Sequence, residues 1–373
     1  MRQLRPHALA LLAIAACSSA PSPAPSPSDG TDSSALVDDA SSPTGDSAAI
    51  DDASADALPT TTDSTTDSTI DAPATGGRDW GTFPAIATLP SPGETYALSD
   101  VHGGYDRLVA LLHEWGLIAT VPSSPGAVSW SGGHNVLVVV GDLIDKGPKP
   151  VEVIDVLRAL QTSAATAGGR VVVTIGNHEA EFLVDPSNAK ATATDGIDVE
   201  LGTLGIAPAT LASEGDPRGA WLRGLPFGAR VGAFFFSHAG NTQGKSVAEL
   251  EAIFHAAVDA HHYDDPAVIG ADSMLEAKDW TLSDPTIGAT YAKAVDALHL
   301  VFGHQPSGLG PKGSIAVGQG GALFRIDCGM SPGVDYSAGA LLRVKHATTE
   351  DVVEELKADG TTVREIWRGA TTP

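Results

Sequence analysis

Residues that bind metals or transfer protons follow several short apolar segments of this sequence. The clearest segment, VLVVV at 136–140, is β-branched and is followed by Gly141-Asp142, a pattern typical of a strand buried on both faces. Open α/β sheets bind ligands at the carboxyl ends of their strands, so we expect such side chains to meet at one edge of the fold. Four other apolar segments end similarly, at Asp100 and His102, at Asn177 and His178, at His238, and at His304.

The residue types in this set favour a site for divalent cations. Carboxylate, amide and imidazole groups suit borderline divalent ions, and no thiolate occurs in these motifs. One carboxylate can bridge two cations about 4 Å apart, a spacing that clamps a phosphoryl group and activates water. Taken singly, each motif has an ordinary structural explanation, because an Asp can cap a helix and a His can be a satisfied core residue. The prediction depends on all of the motifs falling at strand ends.

The spacing of apolar residues predicts the elements that hold these side chains. A parallel layer is indicated by the β-α-β-α-β order of strands 95–98, 136–140 and 171–175 with helices 105–115 and 150–161. Later segments predict helices at 217–225, 247–261 and 286–298 and a strand at 229–237. An antiparallel second sheet is predicted from strands at 314–317, 322–327, 340–345 and 361–367. The expected fold class is α/β, with two packed central sheets flanked by helices in four layers.

Regular periodicity fades between residues 185 and 216, where Asp, Pro, Asn and Gly recur. Turn-forming residues at this density predict an insertion rather than a core element. We expect either a cap over the site or a disordered loop in this stretch.

The first sixteen residues have the pattern of a signal peptide: Arg2 and Arg5 precede an apolar run too short to span a bilayer. The sequence Ile-Ala-Ala-Cys ending at Cys17 resembles a bacterial lipobox, which implies cleavage before Cys17 and acylation of it. Ser18 in place of Asp favours an anchor in the outer membrane, and we expect a protein outside the cytoplasm, at the outer membrane or in the periplasm. An ordinary secreted protein with an Ala-x-Ala cleavage site is the alternative.

A tether is predicted for residues 17–78 and a folded domain for residues 79–373. Residues 18–77 contain eleven Asp and no Lys, Arg or Glu, and they are rich in Ser, Thr and Pro, a composition that predicts disorder. The whole chain has a formal charge of −24, and no basic stripe of the kind that nucleic-acid binders carry is apparent. With Cys17 acylated, Cys328 would have no disulfide partner, and we expect it to be buried.

Seven motifs between residues 94 and 345 resemble those of the calcineurin-like metallophosphoesterase superfamily, in the order found there. Within it the resemblance is to the phosphoprotein phosphatase group, and most closely to the Shewanella-like protein phosphatases. This resemblance implies a sandwich of two sheets and a hydrolase acting on phosphoric ester bonds. The motifs are SDVHGGYDRL (99–108), VGDLIDKGPKP (140–150), IGNHEAEFL (175–183), RGAWLRGLPF (218–227), FFFSHAGNT (234–242), VFGHQPSG (301–308) and IDCGMS (326–331).

The resemblance also implies a centre of two divalent metal ions. Manganese, iron and zinc all suit mixed oxygen and imidazole ligands. A hydroxide bridging the ions would be the nucleophile that attacks phosphorus. The implied ligands are Asp100 and His102 for the first ion, Asp142 as the bridge, and Asn177, His238 and His304 for the second ion.

The same resemblance implies roles in catalysis and in substrate binding. His178, oriented by Asp145, would act as the general acid that protonates the leaving oxygen. The substrate phosphate would be bound by Lys146, Asn177 and Arg223. Lys146 stands where the family usually has Arg, and no Arg occurs at 278–280. Lysine offers charge but no bidentate fork, so phosphate binding is expected to differ from that of the family.

The sequence thus predicts a dinuclear phosphomonoesterase, acting on a phosphorylated protein or small molecule and attached to a membrane through its N-terminal lipid. Two alternatives remain at this point. Residues 141–148 also resemble hydrolases of nucleotide and diadenosine polyphosphates. The departures at Lys146 and at 278–280 are compatible with a metal-binding surface lipoprotein that has no turnover. Nucleic acid is not an expected partner.

Overall fold

The computed structural model describes residues 77–334 and 337–370. The predicted signal peptide, the predicted lipidation of Cys17 and nearly all of the predicted tether lie outside the described residues. Within the described part of the chain, no helix is both long enough and apolar enough to cross a membrane.

The first of two six-stranded sheets contains the predicted parallel layer. Strand β2 pairs in parallel with β3, and β3 pairs in parallel with β4. Three antiparallel strands extend this layer, giving the order β12-β11-β10-β2-β3-β4. Its strands are β2 (Glu94–Leu98), β3 (Val136–Val140), β4 (Arg170–Thr174), β10 (Ala340–His346), β11 (Glu350–Lys357) and β12 (Val363–Ala370).

The second sheet has the order β1-β5-β6-β7-β9-β8. Parallel pairs join β6 to β7 and β7 to β9, so the carboxyl ends of its central strands also point in one direction. Its strands are β1 (Ile86–Leu89), β5 (Gly228–Val231), β6 (Phe234–Ser237), β7 (His299–Phe302), β8 (Ala316–Gly318) and β9 (Leu323–Arg325).

Nine α-helices are assigned among residues 77–334 and 337–370. The longest, α2, starts with Pro150, which fixes φ and needs no hydrogen-bond acceptor at this position. The helices are α1 (Tyr105–Glu114), α2 (Pro150–Thr166), α3 (Asn177–Val184), α4 (Ile197–Leu204), α5 (Pro208–Leu211), α6 (Pro217–Arg223), α7 (Val247–Asp259), α8 (Pro266–Ile269) and α9 (Ile287–Ala294).

The two sheets pack face to face through an apolar layer. Val138 and Val140 of β3 belong to the same buried cluster as Phe234 and Phe236 of β6. The alternate residues of β3, such as Leu137, belong to a second cluster that includes residues of the helices. Because successive side chains of a strand point to opposite faces, β3 is buried on both sides. The predicted two-sheet α/β sandwich is therefore confirmed.

The predicted strand 229–237 is instead a hairpin of β5 and β6. The two strands are antiparallel, and Val231 pairs with Phe234 across a two-residue turn. Gly232 in this turn has φ of 57°, a conformation that glycine adopts without steric cost. A Cβ atom there would lie 2.0 Å from Ser91 Oγ. Both halves are apolar, so the apolar pattern concealed the turn.

The C-terminal strands do not form a sheet of their own, and this prediction was wrong. Strands β8 and β9 join the second sheet, whereas β10 pairs with β2 in the first sheet. Strand β11 was missed because Glu354 and Glu355 interrupt its apolar pattern. Both carboxylates are buried and form ion pairs, Glu354 with Arg343 and Glu355 with Arg364.

The 185–216 stretch is not a disordered loop. It contains α4 and α5, and it is joined to the loop after β3 by two hydrogen bonds. Ile197 N donates to Asp145 Oδ1 at 3.0 Å, and Gly147 N donates to Asp195 O at 3.0 Å.

Candidate metal and phosphoester site

The structure brings together all of the side chains predicted at strand ends. Asp142, after β3, lies between two groups of histidines. Its Oδ1 is 3.1 Å from His238 Nε2, whereas its Oδ2 is 3.5 Å from His102 Nε2 and 3.8 Å from His178 Nε2. Each oxygen therefore faces a different subsite, as a bridging carboxylate requires.

Two candidate metal subsites share Asp142. In the first, the potential ligand atoms of His102, Asp142 and His178 lie within 4.8 Å of one another, and in the second those of Asp142, His238 and His304 do. Asp100 joins the first subsite, since its Oδ1 is 4.0 Å from His102 Nε2. Asn177 joins the second, because its Oδ1 is 3.1 Å from His238 Nε2. The residues present thus fit a pair of divalent cations.

Main-chain carbonyls orient three of the histidines. His102 Nδ1 and His238 Nδ1 each lie 3.0 Å from a carbonyl, of Ile144 and Val140 respectively. Nε2 of both rings is therefore the nitrogen that faces the centre and could coordinate an ion. His304 is reversed: its Nε2 lies 3.1 Å from Glu276 O, so Nδ1 is the atom left for a ligand role. Such hydrogen bonds on the non-coordinating nitrogen are usual in metal sites.

The electrostatics of the centre favour bound positive charge. Burial raises the pKa of Asp100 to about 6, and the nearby Asp142 carboxylate adds to this effect. Burial also opposes ionisation of Asp142, but His238, His178 and His102 together hold the pKa of Asp142 well below its usual range. Conversely, Asp142 overcomes the burial of His238 and raises its pKa to about 10. A cation in this site would relieve the repulsion between the buried carboxylates.

Unusual backbone conformations are concentrated at this site. A non-glycine residue in the left-handed region costs about 1–3 kcal/mol and persists only where its surroundings enforce it. Such strain often accompanies function, so its clustering supports this place as the functional one. The residues with φ between 45° and 62° include Asp100, His102, Asp142, Asp145, Lys146 and His304.

The loops after β2 and β3 touch through their backbones. A Cβ atom on Gly147 would lie 1.9 Å from His102 O, so only glycine allows the approach. Gly103 N donates to Leu143 O and His102 N donates to Asp142 O. The two loops that carry Asp100, His102 and Asp142 therefore form one rigid unit.

Glu179 is a structural residue of the site to which the sequence analysis assigned no role. It follows His178 and is fully buried. Its carboxylate accepts hydrogen bonds from the backbone N–H groups of Gly176, Asp142, Leu143 and Ile144, at 2.7 to 3.2 Å. Glu179 therefore ties the loop after β3 to the start of α3. Its position in the GNHE motif was the available signal.

His178 and Asp145 form a hydrogen-bonded pair at the centre. His178 Nδ1 lies 2.7 Å from Asp145 Oδ2, and the other carboxylate oxygen accepts from Ile197 N. The segment predicted as a cap thus fixes Asp145, and Asp145 fixes the imidazole. The opposite nitrogen, His178 Nε2, faces Asp142.

The centre opens into a cavity of about 620 Å³. Three lysines, Lys146, Lys190 and Lys278, line this cavity together with His178 and Asn177. Lys190 lies in the stretch without regular periodicity, so no sequence pattern indicates its place here, and the region of Lys278 is distinguished in the sequence only by its lack of Arg.

Arg223 does not line this cavity. It lies at the end of α6, where its Nη2 donates to Ala212 O at 2.9 Å and its guanidinium lies over the Tyr263 ring.

Cys328 is buried as expected, and burial raises the pKa of its thiol to about 12.

A family model agrees with this fold and this set of side chains. The model for calcineurin-like phosphoesterases matches residues 95–320, more than half of the chain. The chain therefore belongs to the calcineurin-like phosphoesterase family, and the family predicted from the motifs is confirmed.

Curated relatives match only part of the chain. The symmetrical bis(5'-nucleosyl)-tetraphosphatase of Citrobacter koseri is 34% identical over 89 residues, 24% of this chain and 24% of that protein. The same enzyme of Cronobacter sakazakii is 30% identical over 132 residues, 35% of this chain and 37% of that protein. The chain thus spans between about a quarter and a third of the length of these relatives.

Solved structures match over a larger share of the chain. The cold-active protein-tyrosine phosphatase of a psychrophilic Shewanella species aligns with a TM-score of 0.60 and 20% identity, covering 76% of this chain and 82% of that one. At this identity the similarity shows the fold.

Proposed function

We propose that this protein is a dinuclear metal-dependent phosphoester hydrolase acting on phosphomonoesters. The observation that carries the proposal is Asp142, whose two oxygens face separate ligand groups in a buried centre at strand ends. Such a centre, when loaded with two divalent cations, would polarise the phosphoryl oxygens and activate a water molecule for attack on phosphorus. Manganese, iron and zinc all fit the donor atoms.

The pair His178 and Asp145 would serve as the proton donor. A protonated His178 would give its proton from Nε2 to the oxygen that leaves phosphorus, because an alkoxide leaves poorly without one. Asp145 would orient the ring and stabilise its protonated form by accepting the Nδ1 proton in a hydrogen bond. The burial of both side chains keeps competing water away from this hydrogen bond.

The lysines of the cavity would supply charge to the substrate phosphate. Lys146 Nζ lies 3.1 Å from His102 Nε2, so Lys146 is within reach of a phosphoryl group bound at the first subsite. Lys278 lines the same cavity. Burial lowers the pKa of His304, and the positive charge of Lys278 contributes to this lowering. Because an ammonium is a point charge without a bidentate fork, we expect tolerance of different phosphate geometries and weaker ground-state binding than an arginine would give.

Hydrolysis of dinucleoside polyphosphates is the second candidate activity. It is favoured by the matches to the two symmetrical bis(5'-nucleosyl)-tetraphosphatases. The phosphomonoesterase proposal ranks first because seven motifs between residues 94 and 345 resemble those of phosphoprotein phosphatases.

We also propose that the protein is anchored outside the cytoplasm by lipid on Cys17. The support is the sequence pattern ending at Cys17 and the acidic segment that follows. Metabolic labelling with a radioactive fatty acid tests this: label should enter the wild type and not Cys17→Ser. Equal labelling of both would exclude the anchor.

A substrate panel with defined metals tests the activity. The purified chain is treated with chelator and reloaded with Mn²⁺, Fe²⁺ or Zn²⁺, and phosphate release is measured from an aryl phosphate, phosphoserine and phosphotyrosine peptides, and diadenosine tetraphosphate. Metal-dependent release from the monoesters supports the proposal. Faster cleavage of the dinucleotide would favour the second candidate, and stoichiometric metal without turnover on any substrate would leave a binding protein.

A further inference from the structure

Asn177 is held on the side away from the metal centre by two carboxylates. Its Nδ2 donates to Glu181 Oε1 at 3.0 Å and to Glu276 Oε1 at 3.3 Å. Glu181 Oε1 also accepts from the Lys190 ammonium, so it can only accept from Asn177, and the amide must turn its NH₂ group toward this pair. Its Oδ1 then faces His238 and the second subsite, which is the orientation that a cation ligand needs.

Glu276 also contacts a second ligand of that subsite. Its main-chain carbonyl oxygen lies 3.1 Å from His304 Nε2, which leaves Nδ1 of the ring for a cation. One residue thus orients two ligands, through its side chain for Asn177 and through its backbone for His304.

The elements that carry the two carboxylates are held in place by backbone contacts beside the site. Glu181 lies one turn after Asn177 on α3, where side chains four residues apart share a face. Glu276 lies in the turns between α8 and Trp280, a segment fastened beside the second subsite because Ala239 N donates to Met274 O at 2.8 Å. Trp280 Nε1 donates to Ala239 O at 2.9 Å.

A lysine from the segment predicted as a cap permits the two carboxylates to lie together. Lys190 Nζ donates to Glu181 Oε1 and is 4.0 Å from Glu276 Oε1. This ammonium offsets the repulsion between them and allows both to accept from Asn177.

We propose that Glu181 and Glu276 are positioning residues that orient Asn177 and His304 and thereby set the affinity of the second cation subsite. The inference rests on the proposed dinuclear centre. Neither carboxylate would be a ligand of the cation. Loss of such outer partners typically lowers metal affinity about 10- to 100-fold. Removal of the two carboxylates should therefore lower the cation affinity of the second subsite and leave kcat of the fully loaded enzyme nearly unchanged.

Manganese titration of the full chain by calorimetry tests the proposal. The wild type should bind two Mn²⁺, and the Glu181→Met/Glu276→Met variant should lose about 10- to 100-fold in affinity at one subsite only. The Mn²⁺ concentration for half-maximal activity should rise by the same factor, while kcat at saturating Mn²⁺ stays within about threefold of wild type. Glu181→Gln/Glu276→Gln, which keeps two acceptor oxygens, should lose less. Asp272→Asn, which removes another carboxylate of the cavity wall, should keep the second affinity.

The background of Asn177→Asp provides a sharper test, because it separates orientation from general damage to the fold. An Asp at 177 has two equivalent oxygens and needs no partner to orient it. Removing Glu181 and Glu276 should therefore lower the Mn²⁺ affinity of the second subsite much less in this background than beside Asn177. A variant that merely unfolds would lose the same affinity in both backgrounds, and an equal loss in both would overturn the orienting role.

Two failures are distinguishable. If the wild type binds two Mn²⁺ and the double Met variant binds both with unchanged affinity, the positioning role is overturned and the dinuclear centre stands. If the wild type binds fewer than two Mn²⁺, the centre itself is overturned, and the positioning role with it.

Discussion

The two candidate subsites are built in different ways. Asp100, His102 and Asp142 follow neighbouring parallel strands of the first sheet, and their loops are held by main-chain hydrogen bonds and by the Glu179 carboxylate. The second subsite takes Asn177 from the first sheet and two histidines from the second sheet. Its outer contacts include the carboxylates of Glu181 and Glu276.

The residues that build the first subsite lie closer together in the sequence than those that build the second. The first subsite comes from one β-α-β-α-β unit and depends on strained loops that touch each other. The second depends on the packing of two sheets and on a turn segment distant in sequence. Its ligand His304 is also partly exposed, whereas the other five ligands are buried. We expect the second subsite to be the weaker of the two and the easier to perturb.

Asp142→Asn should have the largest effect, because Asp142 alone belongs to both subsites. The substitution replaces one oxygen of the shared carboxylate by an amide nitrogen and removes its negative charge, so both cations should bind more weakly. The value of kcat/KM should fall by at least about 10³-fold. Bound manganese, measured by elemental analysis, should fall below two per chain. Two tightly bound ions in this variant would contradict the sharing of Asp142.

His178→Asn should separate proton donation from metal binding. We expect kcat to fall about 10²- to 10⁴-fold on a phosphoserine peptide, with manganese content unchanged. The loss should be much smaller on an aryl phosphate with an acidic phenol, which leaves without protonation. An equal loss on both substrates, or loss of manganese, would assign His178 to the first subsite as a ligand.

Glu179→Gln should weaken the hydrogen bonds to backbone N–H groups that hold the loop after β3 at the first subsite. The substitution replaces a carboxylate that accepts four backbone N–H groups, and it should lower the free energy of unfolding by about 2–3 kcal/mol. Urea denaturation measures this, with Glu251→Gln on α7 as a matched control that should change stability by less than about 0.5 kcal/mol. Equal stabilities of the two variants would show that Glu179 does not hold these loops.

Lys278→Met and Arg223→Met should differ modestly in substrate binding. Lys278 lines the cavity of the centre, and loss of its charge should raise KM for an aryl phosphate about 3- to 10-fold at low salt, less at high salt. Arg223 does not line this cavity, so Arg223→Met should leave KM within about twofold. A larger KM increase for Arg223→Met would restore its predicted role in phosphate binding.

The sequence predicted the first subsite more fully than the surroundings of the second. Strands β3 and β4 have clear β-branched runs, and β2, β3 and β4 are each followed by recognisable polar residues, so their parallel order and their ligands could be inferred. Convergence of His238 and His304 on the same centre followed from motif order. The pairing of Glu276 with Asn177 joins residues 99 positions apart, and no local pattern indicates such a contact.

Local sequence patterns also do not indicate which of the two sheets each strand joins. The apolar segments at 314–327 and 340–345 predict strands, but a strand's partner is decided by packing of the whole chain. Strand β11 escaped notice because Glu354 and Glu355 are buried in ion pairs with Arg343 and Arg364. A charged residue can be buried in a strand when an oppositely charged partner neutralises it. The sequence alone does not show which residue that partner is.

A crystal structure of the chain soaked in MnCl₂, with anomalous scattering recorded at the manganese edge, would show whether Asp142 lies between two bound ions. We expect two peaks about 4 Å apart, with one oxygen of Asp142 near each peak and with Asn177 Oδ1 facing the second. A single peak, or peaks that do not have Asp142 between them, would contradict the proposed dinuclear centre.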